Sequence, residues 1–257
     1  MFLSAEPPGE GSSCVRVAAV GDIHCRESRR EEAIAAFANL DARADLLLLA
    51  GDLTAHGLVP EAEVLADAVR GLRLPVFAVL GNHDWHEGRQ AEIRSVLESA
   101  GAVVLEGEHA TLELDDLEIG VVGAKGYVGG FPGSHLSDYG EDSLRAVYRE
   151  AGEEVAAMDA GLRATAACDL RLVVLHYSPT EETLVGEPEG IWTFLGSDRL
   201  AAPIREHGPD LVVHGHAHAG RFEGRVADVP VYNVSVPVLG RDYHLFEVAA
   251  PASRGVH

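Results

Sequence analysis

Three short pairs, Gly21-Asp22, Gly51-Asp52 and Gly81-Asn82, recur at intervals of 30 residues, and each closes a short apolar run. Residues 15–20, 46–50 and 75–80 read as buried strands, while 29–40 and 61–72 between them have helical composition. A strand, its crossover helix and the next parallel strand take about 30 residues, so this spacing predicts successive βαβ units. The three pairs are then expected side by side at the carboxyl ends of neighbouring strands, where open α/β sheets hold their ligands.

Further along, 90–100 reads as a helix, and 102–105, 111–114 and 117–122 as strands, the last two joined by an Asp115-Asp116 turn. Residues 123–140 hold six glycines and a proline and are expected to form a long loop of the kind that carries binding residues. A helix is predicted over 142–162, a strand over 171–175 running into His176, and a helix over 197–206 with Ser197 as its cap. A strand over 211–213 leads to His214, and 229–234 and 243–248 are the last strands expected. The expected organisation is one α/β domain over 14–248, between a flexible lead-in at 1–13 and a short tail at 249–257.

Charge narrows the function. The 20 Lys and Arg residues stand against 41 Asp and Glu, a formal net charge of −21, so long duplex nucleic acid would meet a repulsive field. The apolar runs fall far short of the roughly 20 residues of a membrane-spanning helix, and no secretory signal is evident at the start. Cys14, Cys25 and Cys168 are odd in number and lack CxxC spacing, which indicates neither a disulfide framework nor a thiolate zinc site. A reducing cytoplasm is the expected compartment, and Cys25 is expected to be a small packing residue.

Seven side chains able to bind metal fall at the expected strand ends: Asp22, His24, Asp52, Asn82, His176, His216 and His218. Imidazoles, carboxylates and an amide oxygen suit borderline to hard divalent ions. Seven ligands exceed the four of a closed structural site. Two ions sharing one carboxylate would give each a four-residue shell with room for water and substrate. Two aspartates against two divalent ions leave the cluster cationic even with a bridging hydroxide, able to attract phosphate inside an acidic protein.

Asp22-Ile23-His24, Gly51-Asp52, Gly81-Asn82-His83-Asp84, His176 and Gly215-His216-Ala217-His218 together resemble the calcineurin-like metallophosphoesterases, which carry D-x-H, G-D, G-N-H-[DE], H and G-H-x-H in that order. The resemblance implies a four-layer αββα sandwich of two facing mixed sheets with the metal site at the strand ends. It further implies that Asp22, His24 and His218 hold one ion, that Asn82, His176 and His216 hold the other, and that Asp52 bridges them. The ions would be drawn from Mn, Fe, Zn, Ni and Co. His83 is implied to assist the leaving group and Asp84 to orient its imidazole. The reaction implied is hydrolysis of a phosphate ester through a metal-bridging hydroxide. The motif spellings and small size look like the phosphodiesterase branch, with a small nucleotide, cyclic nucleotide or similar diester as substrate. A phosphomonoesterase, for nucleotides or proteins, is the alternative within enzymes, and a non-catalytic scaffold of the same fold is the alternative outside them.

Lys125, Tyr127 and Tyr177 are candidates for contacting the organic part of the ester, as are His135, Tyr139 and Trp192. His214 is expected in the core or behind the ligands, His56 and His86 on exposed loops, and the glutamates over 181–189 on a solvated surface.

Overall fold

The apolar runs form strands buried on both faces. In the structure, a computed structural model that describes residues 14–250, the elements in chain order begin with β1 (Cys14–Val20), α1 (Arg30–Phe37), β2 (Leu46–Ala50), α2 (Val59–Val69), β3 (Val76–Val79), α3 (Gln90–Ser99) and β4 (Ala102–Val104). There follow β5 (Glu108–Leu114), β6 (Leu117–Ala124), the small hairpin of β7 (Gly130–Phe131) and β8 (Ser134–His135), α4 (Asp142–Ala164) and β9 (Leu170–Leu175). The chain continues through α5 (Trp192–Leu195), α6 (Ala201–His207), β10 (Leu211–His214), β11 (Glu223–Val226), β12 (Val229–Asn233), α7 (Val236–Leu239) and β13 (His244–Ala249). The lead-in expected at 1–13 and residues 251–257 of the expected tail lie outside the described residues.

One sheet has the order β13-β1-β2-β3-β4, parallel except for β13 against β1; the other has the order β11-β12-β10-β9-β6-β5, parallel in its centre with antiparallel edges. Alternation along each strand sorts the side chains into layers. Val17, Ala19, Leu46, Leu48 and Val79 of the first sheet meet Val121, Leu172, Val174 and Val213 of the second in a shared core. Their neighbours Ala18, Leu47, Leu49 and Ala78 pack outward against Phe37, Leu65 and Ile93 of α1, α2 and α3. On the far side Val122, Val173, Leu175 and Val212 pack against Met158, Leu162 and Ile204 of α4 and α6. The architecture is therefore the expected four-layer α/β sandwich.

Differences from expectation are local. The helix expected over 61–72 begins at Val59, with Pro60 in its first turn, where a missing N–H costs nothing. Ser197 caps a short 3-10 turn that leads into α6. The glycine-rich segment is partly ordered as the end of β6 and the β7–β8 hairpin, held by the Ser134 hydroxyl 2.6 Å from that of Thr193. Strand β11 was not expected, because Glu-Gly-Arg-Val has no apolar run; pairing with β12 makes it a strand. Among the described residues no helix is long and apolar enough to cross a membrane.

Candidate metal centre

The ligand candidates cluster because the strand ends do. Gly21-Asp22 follows β1, Gly51-Asp52 follows β2 and Gly81-Asn82 lies just past β3, while His176 follows β9 and His216 and His218 follow β10. Asp22 N–H donates to the Gly51 carbonyl at 2.9 Å and His24 N–H to that of Asp52 at 3.0 Å, locking two loops together. The backbone turns sharply to do this. Asp22, His24, Asp52 and His216 have φ of 57°, 47°, 50° and 69°, a left-handed conformation that costs on the order of 1 kcal/mol each and concentrates at functional sites. Close approach also explains the motif glycines. A Cβ on Gly81 would stand 2.2 Å from Asp52 Oδ1, and one on Gly215 2.2 Å from Asp22 Oδ2.

Two triads result. The ligand atoms of Asp22, His24 and His218 lie within 4.8 Å of one another, and so do those of Asp52, His176 and His216. Asp52 reaches both: its Oδ1 is 3.3 Å from His176 Nε2 and its Oδ2 3.9 Å from His24 Nε2. Asn82 Oδ1 is 2.9 Å from His176 Nε2, so the amide joins the second triad.

The donor chemistry fits a cation. His176 Nδ1 donates to the Ala50 carbonyl at 3.0 Å, which leaves Nε2 of the neutral ring as a lone pair. That lone pair, Asn82 Oδ1 and Asp52 Oδ1 point at one another, three acceptors that a divalent ion satisfies and hydrogen bonds within the set do not. His216 likewise donates Nε2 to the Phe194 carbonyl at 3.1 Å. Backbone carbonyls that fix the tautomer of a ligating imidazole are the usual support of a metal site.

Electrostatics point the same way. Burial pushes His216 down to about 4, and burial also lowers His24, so both rings keep lone pairs at neutral pH. Burial would raise the Asp22 carboxyl, but the hydrogen bond from His218, the charge on that imidazole and the His216 N–H hold it below its usual range.

His83 and Asp84 stand differently from expectation. The His83 ring lies edge-on to His24 at 4.5 Å and the main-chain N–H of His83 donates to Asp52 Oδ1 at 2.8 Å, so the residue borders the triads. Its Nδ1 donates to the Ala55 carbonyl, not to Asp84. Asp84 is fully buried and accepts from Leu53 N–H, Thr54 N–H and hydroxyl, and Gly81 N–H at 2.6–3.1 Å, tying the β2 loop to the β3 loop. The reading of Asp84 as the orienter of His83 is corrected accordingly: its oxygens are occupied by the loops it joins. Burial, with Asp52 nearby, raises its carboxyl.

The other candidates divide. Tyr177 is buried with its ring 4.5 Å from His216 and 5.4 Å from His176, behind the second triad. Lys125 is buried too; its Nζ lies 3.3 Å from Glu150 and 4.1 Å and 5.1 Å from the ring centres of Tyr127 and Trp85, so its charge is already engaged. Tyr127 meets Tyr177 edge-on at 5.9 Å. His135 pairs with Asp198, Trp192 donates to the Glu187 carbonyl, and Tyr139 is 84% exposed; none of these three joins the triads. His214 is a core residue, its Nε2 2.9 Å from Thr183 Oγ1. His56 bonds Glu61, whereas His86 is exposed yet lies 4.4 Å from the His83 ring. Sequence reasoning missed the carbonyls of Ala50, Ala55 and Phe194, which carry no residue-type signature.

A family model described as calcineurin-like phosphoesterase matches residues 15–220. Among solved structures, the phosphopantetheinyl hydrolase PptH of Mycobacterium tuberculosis is similar at 16% identity and a TM-score of 0.67, covering 90% of this chain and 95% of that one. GAP50, the anchor in the inner membrane complex of Plasmodium, is similar at 13% identity and a TM-score of 0.55, covering 87% and 72%. At these identities the likeness is one of fold. No curated protein sequence matches the chain.

Proposed function

Because the chain belongs to the calcineurin-like phosphoesterase family, we propose that it hydrolyses a small phosphodiester with the help of two divalent metal ions. The observation that carries this reading is the position of Asp52, whose two oxygens face ligands of different triads. Asp22, His24 and His218 would hold one ion, Asn82, His176 and His216 the other, and Asp52 would lie between them. Lewis acidity and a water of lowered pKa are what such a pair supplies when bound.

The chain's own groups do the rest. Asp52 accepts the His83 N–H and so fixes that residue beside the triads. The Ala55 carbonyl takes Nδ1–H of His83, so Nε2 is the nitrogen that exchanges a proton with the site; in the imidazolium form its N–H would go to the departing alkoxide and leave the neutral ring. Asp84 holds both loops in register as a positioning residue. A diester brings one negative charge where a monoester brings up to two, and the net charge of −21 favours the smaller burden.

The test is turnover of bis(nitrophenyl) phosphate against mononitrophenyl phosphate by Mn²⁺-loaded protein. Faster diester cleavage is expected; monoester turnover far above it would assign a phosphatase. No hydrolysis with Mn²⁺, Fe²⁺, Zn²⁺ or Ni²⁺, and no metal retained, would leave a scaffold.

A further inference from the structure

A cleft of about 140 Å³ opens beside the first triad, and His24 forms part of its wall. It runs between the loop after β1, the face of α1 that carries Ala33, Ala36 and Phe37, and the start of α7 with Asp242 beyond it. Its floor is apolar, built from Ile23, Ala33, Ala36, Phe37 and Val236. Phe37 is 2% exposed and stacks on Tyr243 at 6.4 Å between ring centres, so the floor is preformed. The space exists because positions 33 and 36, on the same face of α1, carry only methyl groups.

The rim charges cancel. Two cations, Arg26 and Arg29, accompany two anions, Glu32 and Asp242, with Arg29 Nε 3.9 Å from Glu32, which leaves discrimination to the apolar floor. Volume then sets the size of the guest: an apolar cavity of about 150 Å³ takes one benzene-sized ring. His24 links the cleft to the chemistry, for its ring is 4.5 Å from that of His83 and 5.5 Å from that of His218. Of the first triad, His24 alone lines the cleft, so a phosphate held at that triad would have the cleft's entrance beside it.

We propose that this cleft is the subsite for the organic substituent of the phosphoester, and that it takes one apolar group of about the size of a single ring. The inference rests on the hydrolytic reading above for its setting, and its test is independent of turnover. Calorimetric titration of the Mn²⁺-loaded protein compares phenylphosphonate with methylphosphonate, alongside hydrolysis of bis(nitrophenyl) phosphate. The phenyl compound is expected to bind about tenfold tighter or more, as burial of a ring predicts. Ala36→Leu and Val236→Phe, which fill the cleft from opposite walls, are expected to cut that advantage to about twofold or less, with methylphosphonate affinity unchanged as the control for folding. Equal affinities in the parent, or an advantage that survives both substitutions, overturn the subsite. A phenyl preference lost in the variants without any hydrolysis upholds the cleft and overturns the hydrolytic reading; hydrolysis with equal phosphonate affinities does the reverse.

Discussion

The Nδ1 of His83 lies 2.7 Å from the carbonyl oxygen of Ala55, so a main-chain group holds the imidazole and turns Nε2 toward Asp52 Oδ2, 3.9 Å away. Only a ring nitrogen carrying a proton can bond a carbonyl, so Nδ1 keeps its hydrogen and Nε2 is the nitrogen that takes up or gives up a proton.

His83→Ala is expected to lower kcat for an alkyl ester by about a hundredfold or more, the usual worth of a positioned general acid. The loss should be much smaller for a nitrophenyl ester, whose leaving group needs no proton. Steady-state rates across leaving groups of different basicity provide the check, and an equal loss for both would remove His83 from proton transfer.

Asp84→Ala is expected to cost about 3 kcal/mol or more of stability, because four donors from Leu53, Thr54 and Gly81 lose their acceptor inside the fold. Asp84→Asn should cost less. Urea denaturation of the two variants beside the parent measures the difference.

Asp52→Asn should abolish retention of both metal ions and with it activity, whereas Cys25→Ala should spare both. Gly81→Ala should resemble Asp52→Asn, since its methyl would occupy space 2.2 Å from the Asp52 oxygen. Elemental analysis after dialysis reads metal content directly; full metal content in Gly81→Ala would contradict the close-approach argument.

One thiol of three, that of Cys14, should be open to a disulfide reagent in the native protein, although burial and then Glu247 raise it above an ordinary thiol. Cys14 is exposed, while Cys25 and Cys168 are buried, and burial pushes the Cys25 thiol up to about 12. All three should react in denaturant. Fast native labelling of Cys25 would show that the loop after β1 opens.

Glu154 faces Lys125 and accepts the Gly126 N–H at 3.0 Å, yet burial dominates and raises its carboxyl. A carboxyl raised by folding is stabilising while protonated and loses that contribution as pH climbs from its unfolded value through its folded one. Glu154→Gln keeps the acceptor for Gly126 and removes the charge. Its unfolding free energy should therefore exceed that of the parent at neutral pH and converge with it on acidification; a parallel offset at every pH would remove the ionisation from the account.

Residue types and spacing carried much of this molecule. Leu46–Ala50 is apolar at every position, which announces a strand covered on both faces, and the 30-residue recurrence of Gly-Asp announces parallel neighbours. The gathering of Asp22, His24, Asp52, Asn82, His176, His216 and His218 followed from their places after expected strands, which set them at one end of the sheets. Tertiary structure alone decided the rest: that Ala55 and not Asp84 holds His83, that Phe194 supports His216, that Lys125 is spent on Glu150, and that two alanines of α1 leave a cleft beside His24. Main-chain carbonyls are the same at every residue, and empty space belongs to no residue at all. Both come into being only when distant segments pack.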